Sequence, residues 1–129
     1  MYRIVLVSSN PASLAVLARA LQADSRVIFE RVTSGEEALA LIQHAAPDLM
    51  ILDEKEGELP DFALVRKIMQ QNALINVAMV SRLWEKDFHD AAEGLGILMQ
   101  LPSQPGLAEA EALLARLALI RKSFESQEK

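Results

Sequence analysis

The chain has 129 residues, a net charge of −5, and 51 % apolar against 24 % charged residues, which suits one globular domain built on a single core. The acidic balance disfavours nucleic acid or an anionic membrane surface as the main partner, because both need clustered Lys and Arg. Cysteine is absent, which excludes disulfides, thiolate metal sites and thiol nucleophiles. No apolar stretch approaches the roughly 20 residues of a membrane span, and the N-terminus enters an apolar strand without a signal-peptide pattern, so a cytoplasmic protein is expected.

Apolar runs and helical patterns alternate along the chain. Ile4-Val5-Leu6-Val7 reads as a strand buried on both faces. Asn10 offers an N-cap, Pro11 fits the first helical position, and Leu14, Leu17, Ala18 and Leu21 follow as one stripe. Val27 to Phe29 is the second strand. Ser34 and Glu37 have capping-box spacing before the stripe Ala38, Leu41, Ile42, Ala45. Leu49 to Leu52 is the third strand. Pro60 or Asp61 opens a helix carrying Phe62, Val65, Ile68 and Met69. Val77 to Val80 is the fourth strand. Phe88, Ala91, Ala92 and Leu95 mark a fourth helix that stops near Gly94 and Gly96. Ile97 to Met99 is a short fifth strand, and Ala110, Leu113, Leu114, Leu117 and Ile120 form the last helix.

Five strand–helix repeats imply a parallel sheet covered on both faces. The expected fold is therefore a flavodoxin-like (βα)5 three-layer α/β/α sandwich with a five-stranded parallel sheet. Residues 1–122 form one domain, and 123–129 read as a polar tail that could fray or open a linker. No internal repeat or low-complexity segment interrupts the pattern.

Asp53 closes the third strand and an acidic loop follows it, from Glu54 to Asp61. An ionisable residue at the C-terminal end of a buried strand is where open α/β folds keep their chemistry. Further along, the hydroxyl residue Ser81 ends the fourth strand, Gly94 precedes the fifth and Pro102 follows it. With Pro47-Asp48-Leu49-Met50-Ile51-Leu52-Asp53, this order and spacing resembles the receiver domain of bacterial two-component response regulators, over nearly the whole chain.

The resemblance implies that Asp53 is the phosphoacceptor position, modified by a histidine kinase, with Ser81 in support. Such chemistry needs Mg²⁺ held by oxygen ligands, and a Lys and a hydroxyl on the phosphoryl oxygens. The family's acidic pair after the first strand is here Ser8 and Ser9. Its Lys before the proline is Leu101, and its aromatic switch residue is Leu98. The resemblance thus implies a divergent or pseudo-receiver, not an enzyme. It would signal through protein–protein contact by its fourth helix, fifth strand and fifth helix, with Mg-dependent phosphorylation weak or absent. Neither a cofactor nor a bound metal is expected, Asp53 and Glu56 being weak candidates. The alternatives are a working phosphoacceptor using Mg²⁺, and a flavin- or nucleotide-binding protein.

Several residues carry two readings. Lys55 could be a built-in cation paired with Asp53, lowering its pKa, or a solvated side chain near Glu54, Glu56 and Glu58. Glu54 and Glu56 could replace the lost acidic pair, although a loop facing water is favoured. The loop Ser8 to Ser13 could cradle a phosphate through its N–H groups, but capping by Asn10 is the simpler use. His44 and His89 lack partners at ligand spacing and should lie on helix surfaces. Trp84 could cover the site, face a partner or anchor its loop. Leu113, Leu117, Ile120 and Phe124 make a heptad seam, either the buried face of the last helix or a helical contact for a homodimer or an output domain.

Overall fold

The computed structural model describes residues 1–10, 12–54 and 60–127. Five strands, β1 (Tyr2–Val7), β2 (Val27–Val32), β3 (Leu49–Leu52), β4 (Asn76–Val80) and β5 (Met99–Leu101), alternate with α1 (Ala15–Ala23), α2 (Gly35–His44), α3 (Phe62–Gln71), α4 (Glu85–Ala92) and α5 (Leu107–Gln127). All strand pairs are parallel, in the order β2-β1-β3-β4-β5. The expected three-layer sandwich is what forms.

Strand alternation splits the core in two. Ile4, Leu6, Leu49, Ile51, Ala78, Val80 and Leu101 meet Leu17 and Leu21 of α1 and Leu113 and Leu117 of α5 on one face. Val5, Val7, Met50, Leu52, Val77 and Met79 meet Ile42, Val65, Ile68 and Phe88 on the other. Each fully buried Leu, Ile or Val contributes roughly 1.5–3 kcal/mol over an exposed one.

The termini of these elements correct four expectations. α1 begins at Ala15, four residues later than Pro11, and has no side-chain cap. Asn10 is turned to its own loop: its Oδ1 accepts the Ala12 N–H at 3.3 Å and its carbonyl the Ser13 N–H at 3.1 Å. β5 begins at Met99 rather than Ile97, since Gly94 and Gly96, at φ 82° and 71°, keep the chain turning first. Ala91 is exposed, so α4 buries Phe88 and only part of Ala92. α5 runs to Gln127, so most of the expected tail is helical.

Other expectations hold. Ser34 caps α2 by accepting the Glu37 N–H at 3.1 Å, while the Glu37 carboxylate reaches one residue further out, to the N–H and hydroxyl of Thr33. Those Thr33 bonds hold the Glu37 carboxyl below its ordinary pKa. Asp61 caps α3 through the Leu64 N–H at 3.0 Å. His44 and His89 are exposed on helices.

Candidate functional site at the C-terminal crest of the sheet

From β1 the chain goes outward to β2, then crosses back to β3 on the other side of β1. The crevice of an open α/β sheet lies at this reversal, beyond the carboxyl ends of β1 and β3. Asp53, the first residue after β3, is held there by its N–H on the Val7 carbonyl at 3.0 Å. It borders two clefts, one between the loops of β1 and β3 and α2, the other reaching Arg82, Ser103 and Pro105.

The half-buried carboxylate of Asp53 is answered by neutral donors. The Ser8 hydroxyl lies 2.6 Å from Oδ2, and the Ser13 hydroxyl bonds the same oxygen. Both hydroxyls also lie near the Asn10 carbonyl, at 2.9 and 3.0 Å. Each has one proton to give, and the ionised oxygen is the stronger acceptor. Asn10 completes the loop by donating its N–H to the Ser8 Oγ at 3.1 Å. The N–H groups of Asn10, Ala12, Ser13 and Ala15 are thus all taken within the loop, none turned toward a phosphate.

Next door, the Glu54 Oε1 accepts from the Arg82 Nε at 3.0 Å and from the Ser103 hydroxyl at 2.8 Å. The Glu54 side chain is only 18 % exposed, against 74 % for Arg82, so Glu54 does not face water as expected. Three loops are tied at this point. A second tie comes from Gln100 of β5, whose amide donates to the carbonyls of Ser81 and Leu83 at 3.1 and 2.9 Å.

Ser81 is buried at the end of β4, and its hydroxyl accepts the Leu83 N–H at 3.1 Å within its own loop. Leu101 is wholly buried under α1 and α5, and Leu98 is half-buried against the same core. Ser9 lines both clefts. Lys55 and Glu56 lie outside the described residues. Trp84 is 82 % exposed at the start of α4, which removes the reading of it as a buried anchor.

Ser13, Arg82, Ser103 and Gln100 acquire their roles only in three dimensions. The one local signal was a third hydroxyl, Ser13, on the loop that carries Ser8 and Ser9.

A resident Mg²⁺ would need several oxygen donors, carboxylates foremost, in near-octahedral array. Among the described residues no group of three or more His, Asp or Glu could hold a metal ion. Around Asp53 stand hydroxyls, Glu54 is bound to Arg82, and Asp61 caps α3. The described residues do not fit the ion. No helix among them is long and apolar enough to cross a membrane.

No family model matches the chain. It is 31 % identical over 123 residues to protein-glutamate methylesterase/protein-glutamine glutaminase 6 of Anaeromyxobacter dehalogenans, covering 92 % of this chain and 35 % of that protein. The chain thus spans about a third of that relative's length. Among solved structures it is similar to the chemotaxis response regulator CheY4 of Vibrio cholerae, with a TM-score of 0.75, 20 % identity, and 91 % and 98 % of the two chains covered. It is likewise similar to the signal receiver domain of the response regulator NarL from Mycobacterium tuberculosis, with a TM-score of 0.73, 22 % identity, and 91 % and 96 % covered. In its strand order and its alternating helices, the chain has the fold of response-regulator receiver domains, the CheY-like form of the flavodoxin-like sandwich.

Proposed function

We propose that this chain is a receiver-type domain that signals through protein–protein contact, with Mg-dependent phosphorylation of Asp53 weak or absent. The observation that carries this reading is the occupation of the Asp53 Oδ2 by the hydroxyls of Ser8 and Ser13. A phosphoryl acceptor works when positive charge gathers around the developing phosphate. Among the described residues the side-chain donors to the carboxylate are neutral, the nearby cation Arg82 is bound to Glu54, and Leu101 is an apolar part of the core. Regulation then comes from a partner selecting between conformations. The surface offered to that partner is the groove between α4, β5 and α5, floored by Phe88, Ile97, Met99 and Gln100.

Catalysis of the kind named for the methylesterase relative is not assigned to this site. A serine nucleophile needs a neighbouring base, usually His. Neither His44 nor His89 lines the clefts at Asp53.

The second reading, a working phosphoacceptor served by a histidine kinase, is favoured by the address of Asp53 alone. The two separate cleanly. The chain is incubated with Mg²⁺ and acetyl phosphate, and its intact mass is followed. The expected result is an unmodified chain with unshifted Asp53 and Ser81 amide resonances on adding beryllofluoride. A phosphoryl adduct that forms in full and disappears in Asp53→Asn would establish the second reading instead.

A further inference from the structure

The sheet has two edges, and they are built differently. β5, at one edge, is three residues long and is followed by Pro102, two devices that keep a further strand from adding there. β2, at the other, runs for six residues, Val27-Ile28-Phe29-Glu30-Arg31-Val32, without Pro, Gly or Lys. On its inner side the carbonyls of Arg26 and Val32 accept from the N–H groups of Tyr2 and Ser8 at 2.6 and 3.0 Å. With the even-numbered residues thus bonded inward, the backbone groups of Val27, Phe29 and Arg31 point away from β1. The two charges of the strand are engaged within the sheet. Glu30 leans back over it, 3.6 Å from Arg3 of β1, and the Arg31 guanidinium lies 6.0 Å from the centre of the Phe29 ring. Ile28 is 41 % exposed beside them.

The backbone pattern and the charges say what fits this edge. A second copy related by a two-fold axis through the sheet would run antiparallel to it, with like faces together. Outward residue must then face outward residue, which leaves three registers, centred on Ile28, Phe29 or Glu30. The first needs the Val27 N–H as a donor at its centre, and that group is already given to the Asp24 carbonyl at 3.1 Å. The third sets Glu30 against Glu30 where antiparallel strands come closest, about 4.5 Å between Cα atoms. The second avoids both at its centre. There the N–H and C=O of Phe29 exchange bonds with those of the other Phe29. The two rings, packed on the α1 side of the sheet, meet as an aromatic pair. Glu30 faces the other copy's Ile28, with that copy's Arg26 one step along the same face.

We infer that two copies of this chain join antiparallel through the outer edges of β2, centred on Phe29, so that two five-stranded sheets become one. The contact is two-fold symmetric and therefore closes at a dimer. It covers the longer of the two exposed edges, the one that carries no Pro or Lys to fend off a strand. It lies at the opposite edge of the sheet from the groove of α4, β5 and α5, so it leaves that groove open and stands whether or not Asp53 is modified. One strand pair buries little area, so the dimer is weak and concentration-dependent.

Amide exchange of the full chain, followed by NMR over rising concentration, reads this edge without any substitution. The expected result is a Phe29 amide that exchanges fast in dilute solution and at least about fivefold more slowly near roughly 1 mM. Sedimentation equilibrium should show a monomer–dimer equilibrium over the same range. Ile28→Glu should weaken it at least about tenfold, since it twice sets a Glu directly against the other copy's Glu30. Adding Glu30→Lys to Ile28→Glu should restore the dimer, because only the register centred on Phe29 pairs position 28 with position 30. Both positions are exposed, and circular dichroism checks that each variant keeps its fold. A Phe29 amide whose exchange ignores concentration overturns the inference, as does a chain that stays monomeric at roughly 1 mM. So does a dimer that survives Ile28→Glu, or one that the double variant does not rescue.

Discussion

β3 carries a carboxylate at each end, and the two are treated in opposite ways. Asp48, before the strand, accepts the Arg3 N–H at 2.8 Å and stands 3.7 Å from the Arg121 guanidinium. Arg121 in turn lies over the Tyr2 ring and donates to the Met1 carbonyl at 2.9 Å, so the base of the sheet is fastened to α5. Asp53, after the strand, has two hydroxyls and no cation among the described residues. Arg82, which lines the same cleft, is bound to the adjacent Glu54 instead. An acid with a cation and a backbone donor serves stability, whereas a half-buried acid whose described side-chain donors are all neutral is the kind of position that proteins keep for other reasons.

This contrast can be broken or sharpened experimentally. Leu101→Ala should have the largest effect, a loss of about 2–5 kcal/mol in urea unfolding, because its side chain is wholly buried in the core. A loss under about 1 kcal/mol would mean that Leu101 is not integral to the crest. Asp48→Ala should cost about 1–3 kcal/mol, since it orphans the Arg3 N–H and frees Arg121. Asp53→Asn should go the other way and be neutral or stabilising by up to about 1 kcal/mol, because a charge with no cation beside it among the described residues is exchanged for an amide that can still accept from the serines. If Asp53→Asn destabilises as much as Asp48→Ala, the distinction between the two ends fails.

Arg82→Ala should cost only a few tenths of a kcal/mol, as its guanidinium is mostly exposed. Its signature is local: faster amide exchange in the loops of Glu54, Arg82 and Ser103 together. Changes confined to Arg82 would show that the loops are not coupled. The smallest effect concerns acid. Hydrogen bonds from Arg26 hold the Asp24 carboxyl down, from 3.8 to about 2. Because the folded value is the lower one, this contribution is complete above pH 3.8 and fades as pH falls toward 2. Asp24→Asn should therefore lower the urea midpoint slightly at neutral pH and match the parent chain below pH 2.

Most of the fold was legible because it is written locally. The apolar runs from Ile4, Leu49 and Val77 marked the three central strands, and Ser34 and Asp61 announced their helices. The start of β5 was not legible, because an apolar run such as Ile97 to Met99 does not say where pairing begins. Nor was the start of α1, whose expected cap, Asn10, is drawn into a loop that wraps Asp53. The address of Asp53 was readable, but its partners were not. Ser8 and Ser13 are 45 and 40 positions away, and Arg82 is 28 from Glu54. Spacing along a chain does not encode which hydroxyl turns toward which acid. Of the seam from Leu113 to Phe124, Leu113 and Leu117 are buried in the core, whereas Ile120 is half-buried and Phe124 exposed, so burial accounts for its first half alone.

The two bonds of the Gln100 amide have a mechanical consequence. β5 is a three-residue edge strand, free on its outer side, yet one of its side chains grips the loop after β4 at two carbonyls. Strand and loop must therefore travel as one lever. A push on the sheet's edge would carry Ser81 and Arg82 with it, and through Arg82 the loop of Glu54 beside Asp53. Exchanging that amide for the isosteric carboxylate of Glu would set negative charge against both carbonyls and uncouple the lever without changing its shape.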